Sequence, residues 1–131
     1  MSESVDVVMS LIQVWEEEGF GVVPELMDRE IEYVNPHDAV ESGVRHGHEG
    51  FAAAAQAALS IYTEFQVVPI TFYEAGDSVA VVARLVTLSR GNSVPVEATR
   101  GYVFDVRNGK VKRFAWFNQP REALADLGLE G

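Results

Sequence analysis

EFQVVPITFYEAGDSVAVVARLVTLSRGNSVPVEATRGYVFDVRNGKVKRFAWF, residues 64–117, decides the fold. β-branched and aromatic residues dominate it, and the runs break at Ala75-Gly76-Asp77, Gly91-Asn92 and Arg107-Asn108-Gly109. Gly beside Asn or Asp is the chemistry of tight hairpin turns, which need positive φ. Four successive strands are therefore predicted, joined as an antiparallel meander. The second of them is apolar on both parities, with Val79, Val81, Ala83 and Leu85 against Ala80, Val82, Val86 and Leu88. Both faces of the sheet then need cover, and helices can supply only part of it on the outer face. A homodimer is expected for that reason.

Working outward, Val5, Val8, Ile12 and Trp15 recur at steps of three and four before Gly19, which predicts an amphipathic helix over 3–18. A shorter helix is predicted over 22–27. Ile31, Tyr33 and Asn35 then alternate with Glu30, Glu32 and Val34, as in a short strand closed by Pro36. A loop follows that carries all three histidines, His37, His46 and His48. From Gly47 the run is rich in alanine, the best helix former, with Phe51, Leu59 and Tyr62 as its packing residues. Beyond the meander, Pro120 suits the first turn of a last helix, REALADL, which stops at Gly128. Helices first and a long curved meander after them make one α+β domain over 1–131.

The chain has 131 residues, 47% of them hydrophobic, enough for one real core. Its formal charge of −10 repels phosphate backbones and anionic membrane surfaces, so neither nucleic acid nor membrane is an expected partner. Much of the acid, at 16–18 and 122–130, reads as solvated helical or terminal surface. No cysteine is present, which removes disulfides, thiolate metal sites and cysteine nucleophiles. With no apolar run of membrane-spanning length and no basic start or cleavage site at the N-terminus, a soluble, cytoplasmic protein is expected.

The order of elements, with D-x-x-I-x-Y-x-N-P at 28–36, G-x-R-x-G-H-E-G-F at 43–51, E-A-G-D-S-V-A-V at 74–81, V-R-N-G-K-V at 106–111 and E-A-L-x-x-L-G-L at 122–129, resembles the SnoaL-like branch of the nuclear transport factor 2 superfamily. The resemblance spans nearly the whole chain. It implies a cone: helices wrapped around a strongly bent, mostly antiparallel sheet, a central pocket open at one end, and dimers formed through the sheet's outer face. It does not imply one function, because this cone serves ketosteroid isomerases, limonene-epoxide-hydrolase-like enzymes, polyketide cyclases and proteins that only bind or scaffold.

Strand alternation puts Tyr33 and Asn35 on the face opposite Glu32, looking into the cone. The resemblance places Asn35 where a ketosteroid isomerase keeps its general-base Asp. An amide takes up no proton at useful pH, so steroid isomerisation is not expected. Tyr-x-Asn matches instead the epoxide-hydrolase-like members, where the pair helps hold the attacking water. Those enzymes also use Arg-x-Asp on a central strand and a second Asp on the last long strand. Here the first reads Arg84-Leu85-Val86 and the second falls at Trp116, so both acids are missing. The loss of an acid on that late strand weakens the cyclase reading as well.

The expected ligand-binding residues are Tyr33, Asn35, Arg84, Tyr102, Phe114, Trp116 and Asn118, with Trp15 from the first helix. An aromatic pocket with amides and one guanidinium suits a hydrophobic or acidic small molecule better than acid–base work. Arg84 meets either a ligand carboxylate or, as a structural ion pair, Glu97 on the next strand. Spacing alone would let the three histidines approach a zinc ion, but nothing fixes their geometry, and no metal or cofactor is expected. His48-Glu49 reads as a helix start, with the acid near the positive end of the helix dipole. As the one titrating base near the mouth, His48 stays a catalytic candidate. The functional expectation is a small-molecule pocket protein, either a binder or an isomerase, cyclase or hydrolase. The alternative is a non-catalytic dimerisation or interaction module.

Overall fold

The computed structural model describes residues 2–39 and 43–129. Helix α1 spans Glu3–Glu18, strand β1 Met27–Asn35, strand β2 Gly43–His46 and helix α2 Gly47–Leu59. The meander is β3 Tyr62–Ala75, β4 Ser78–Ser89, β5 Val96–Arg107 and β6 Lys110–Phe117, and helix α3, Pro120–Asp126, follows. The six strands form one open sheet in the order β2-β1-β6-β5-β4-β3. All neighbours are antiparallel except β1 and β6, so the sheet is mixed and the fold α+β.

Local chemistry explains the element ends. The Ser2 hydroxyl accepts from the Val5 N–H at 3.1 Å and caps α1, while Gly19, at φ +98°, lets the chain turn away at its other end. Asn108 and Gly109 take φ +52° and +75°, the two positive values a tight β5–β6 hairpin demands.

Two elements depart from the sequence expectation. The helix predicted over 22–27 is a single turn, in which the Leu26 N–H reaches the Val23 carbonyl at 3.0 Å. The Leu26 carbonyl already accepts from the Val111 N–H at 2.8 Å, so sheet pairing claims the backbone there and β1 begins at Met27. Part of the expected histidine loop is β2, paired from Glu32↔His46 to Asn35↔Gly43. Gly and His disguised it, because a four-residue edge strand needs no alternating apolar pattern. The loop's residues 40–42 and the terminal acid Glu130 lie outside the described residues.

Helix α1 lays Val5, Val8, Leu11, Ile12 and Trp15 against the inner face of the sheet. Phe114 is the centre of an aromatic cluster there, 5.2 Å from Phe104, 5.4 Å from Tyr33 and 5.6 Å from Trp15 between ring centroids. Each such pair adds about 0.5–1.5 kcal/mol to simple burial. On the outer face, α3 covers a patch of Ala80, Val103 and Ala115 with Ala123. Arg113 fastens it, with Nη1 3.1 Å from Asp126 of α3 and 3.5 Å from Asp105 of β5. Among the described residues no helix is long and apolar enough to cross a membrane.

Candidate functional site

A cavity of about 490 Å³ lies between α2 and the inner face of the sheet. Strand register decides which side chains reach it. Val81 pairs with Tyr102 and Ala83 with Arg100, so the odd positions of β4 share a face with the even positions of β5. On β6, Trp116 pairs with Tyr102, and Phe114 stands two residues before it on the same face. Leu85, Arg100, Tyr102, Phe114, Trp116 and Asn118 accordingly line the cavity, together with Tyr33 and Asn35 of β1. Opposite them, Ala54, Ala57 and Ala58 of α2 contribute methyl groups only, which keeps the space open. Ile61, just before β3, and Tyr62, Phe65 and Val67 of β3 close it.

Of the residues expected to bind a ligand, Tyr33, Asn35, Tyr102, Phe114, Trp116 and Asn118 come together in this lining, and Arg84 and Trp15 do not. Arg84 is corrected to the outer face. It pairs with Thr99, one residue out of phase with the inward Ala83↔Arg100 pair. Its Nε lies 3.0 Å from Glu97 Oε1, with the two side chains 53% and 57% exposed. The even parity of β4 was the wrong one: Val79, Val81 and Ala83 are the fully buried inward set. Trp15 is a core residue whose Nε1–H donates to the Gly21 carbonyl at 2.8 Å. It borders a second, smaller cavity of about 330 Å³ that shares Phe20, Phe65 and Val67 with the first.

His48 is likewise corrected. It is absent from the cavity lining, and its Nε2 donates to the Met27 carbonyl at 3.2 Å, tying the first turn of α2 to β1. That bond gives the ring a structural partner outside the cavity lining. His46 sits 3.9 Å from Glu32 on the exposed β1–β2 edge, and His37 is exposed. Among the described residues no group of three or more His, Cys, Asp and Glu is placed to hold a metal ion.

Sequence reasoning missed Arg100, the guanidinium that does line the cavity. The signal was available, since Arg100 precedes Tyr102 by two residues and a strand's faces repeat with that period. Its Nη1 donates to Asn118 Oδ1 at 2.6 Å and more weakly to the Asn118 carbonyl at 3.3 Å. Its Nε is buried with no hydrogen-bond partner. Trp116 Nε1 donates to Asn35 Oδ1 at 2.9 Å. Indole and guanidinium nitrogens only donate, so each amide must turn its oxygen to them. Burial pushes the Tyr33 hydroxyl up to about 12, with Arg45 pulling slightly the other way. Burial raises Tyr102 further still, against the pull of Arg100, so both phenols keep their protons at neutral pH. Among the described lining residues the one carboxylate is Asp38, which is exposed.

The sequence matches the SnoaL-like domain family over residues 8–114. This chain belongs to the SnoaL-like domain family. Solved structures of the same fold include an NTF2-like protein of unknown function from Burkholderia pseudomallei, 17% identical, with 95% of this chain and 97% of that one covered at a TM-score of 0.78. TerC, co-crystallised with polyporic acid, is 19% identical over 96% of this chain and 98% of its own, with a TM-score of 0.77. A protein of ketosteroid isomerase-like fold from Catenulispora acidiphila, in complex with trimethylamine, is 19% identical over 95% and 93%, with a TM-score of 0.70. At these identities the likeness is one of fold. No curated protein matches the sequence. Among SnoaL-like domains, then, this one combines an aromatic wall with a hydrogen-bonding end built from two amides, two phenols and a guanidinium.

Proposed function

We propose that this SnoaL-like chain is a small-molecule-binding pocket protein whose ligand is hydrophobic or aromatic over most of its surface and polar at one end. The observation that carries the reading is the cavity of about 490 Å³, lined by alanines of α2 and apolar residues of β3 and carrying the polar groups of Asn35, Arg100 and Asn118. That volume and mixture are those of sites that enclose drug-sized molecules. Two proteins of the same fold hold small molecules, polyporic acid in TerC and trimethylamine in the Catenulispora protein, which supports the reading. The residues set limits on chemistry. Neither Asn35 nor Trp116 can take a proton from a substrate, so steroid isomerisation and epoxide hydrolysis by paired carboxylates lie outside the reading. Any turnover here would depend on holding and polarising the ligand.

Pairing of two copies through the outer sheet face belongs to the same proposal. Val68 lies opposite Arg84, Tyr73 opposite Ala80 and Val82 opposite Gly101, all on that face. Tyr73 is 37% exposed, and Ile70 at the β3 bulge is 59% exposed.

The test fills the cavity. Ala57 is exposed to it and its methyl lines the wall, so Ala57→Trp adds an indole to the lumen without entering the core. In a thermal-shift screen of aromatic small molecules, wild type is expected to gain stability with some members. The variant should fold normally and gain none. Equal shifts in both proteins would place binding elsewhere and end the proposal.

A further inference from the structure

The polar end of the cavity consists of groups that offer hydrogens. Asn35 and Asn118 each commit the amide oxygen to a protein donor, at 2.9 and 2.6 Å, which leaves both NH₂ groups directed to other acceptors. Tyr33 and Tyr102 present protonated hydroxyls. Arg100 uses Nη1 on Asn118, keeps Nε buried without an acceptor, and makes no ion pair with any described carboxylate, Asp38 included. A part-buried guanidinium with no counter-ion among the described residues, its Nη1 held only by the neutral acceptors of Asn118, is an arrangement that an anionic acceptor would stabilise. Arg113, part-buried on the outer face, follows the opposite rule and holds two aspartates.

We infer that the cavity takes planar aromatic anions, with a carboxylate or enolate-type oxygen seated on Arg100 and the Asn118 and Asn35 amides, and the ring against Trp116, Phe114 and the alanines of α2. This inference rests on the pocket reading above and specifies the charge of its ligand. Anionic oxygen is favoured over a neutral carbonyl because a hydrogen bond to a charged group is about twice as strong as one between neutral groups. The guanidinium edge also matches the two oxygens of a carboxylate. The chain's overall charge of −10 opposes anions generally, so selection must come from these few groups inside the cavity.

The experiment compares biphenyl-4-carboxylate with its neutral amide by isothermal titration calorimetry at pH 7 and low salt, on wild type, Arg100→Met and Asn118→Asp. Wild type should bind the acid at least about tenfold more tightly than the amide. Arg100→Met should erase that preference, weakening the acid at least about tenfold more than the amide. Asn118→Asp supplies an internal carboxylate to the guanidinium while leaving the arginine stem in place, so it should erase the preference even if Arg100→Met fails to fold. Equal affinity of wild type for acid and amide overturns the anionic assignment and leaves the pocket reading standing. An acid preference that survives both substitutions removes Arg100 as the anchor and overturns the inference. If neither probe binds, the pocket reading falls and takes this inference with it.

Discussion

Gly101→Ala should loosen α3 and disturb the cavity from the opposite side of the sheet. Gly101 lies on the outer face of β5, between Arg100 and Tyr102, which both point inward. A Cβ at this position would stand 2.6 Å from the Ala123 Cβ, 3.0 Å from the Pro120 Cα and 3.3 Å from the Gln119 carbonyl oxygen. Carbon atoms prefer about 3.5–4.0 Å, so α3 must retreat by roughly 1 Å. Two of the three obstacles are backbone atoms at the start of α3, which no rotamer change can move. Overpacking of this kind costs about 1–3 kcal/mol, offset by about 0.5–1 kcal/mol because Ala stiffens the unfolded chain relative to Gly. A net loss of about 1–2 kcal/mol lowers Tm by roughly 3–8 °C for a domain of this size. Urea unfolding and calorimetry measure the loss. Ala123→Gly removes the nearest atom at a cost of about 1 kcal/mol in helix propensity. The double mutant should therefore recover at least about 0.5 kcal/mol relative to the sum of the single changes. Strict additivity, or a Gly101→Ala protein within about 0.3 kcal/mol of wild type, would refute the account of how α3 docks.

Arg84→Met and Glu97→Gln should each leave ligand binding unchanged, because the pair lies on the outer face of the sheet; loss of ligand binding in either variant would return Arg84 to the cavity. Tyr33 ionises near 12 when folded and near 10 when unfolded, so its contribution of about 2–3 kcal/mol is complete below pH 10 and lost as pH rises toward 12. Tyr33→Phe should accordingly flatten the alkaline fall in stability followed by urea unfolding, and an unchanged pH profile would show that the ring is not buried. Light scattering at micromolar concentration should report a dimer, and Tyr73→Lys should shift it toward monomer; a wild-type monomer would leave the outer face without the proposed cover.

The meander and the family were legible because their signals are local. Turn chemistry at Gly76-Asp77 and Asn108-Gly109 marks hairpins without knowledge of anything distant, and α1 announces itself through its spacing of buried residues. The inward set on β1 and β6 was legible for a related reason: Glu32 opposes Tyr33 in parity, and Phe114 and Trp116 oppose Arg113. Strand β4 carries no such contrast. Val79, Val81 and Ala83 face the core while Ala80 lies under α3, so both parities look apolar and only pairing with β5 distinguishes them. That ambiguity placed Arg84 inside and left Arg100 unnoticed. The partner of His48 is a backbone carbonyl 21 residues away, and a contact of that kind leaves no trace in composition.

Asn35 shows how little must change for one scaffold to leave proton transfer. The sequence resemblance puts it where a ketosteroid isomerase carries a general-base Asp, and the structure keeps it in the cavity, accepting from the Trp116 indole at 2.9 Å. A carboxylate here would satisfy the indole with one oxygen and offer the other to a substrate proton. The amide satisfies the same indole and offers N–H instead. One exchange of oxygen for NH₂ turns a group that takes protons into one that gives hydrogen bonds. The rest of the polar end agrees in sign: Asn118 spends its oxygen on Arg100, and burial keeps the two phenols protonated. With these donors gathered at the polar end, the energetically favourable partner is an acceptor, and an oxygen anion satisfies them better than a neutral molecule can.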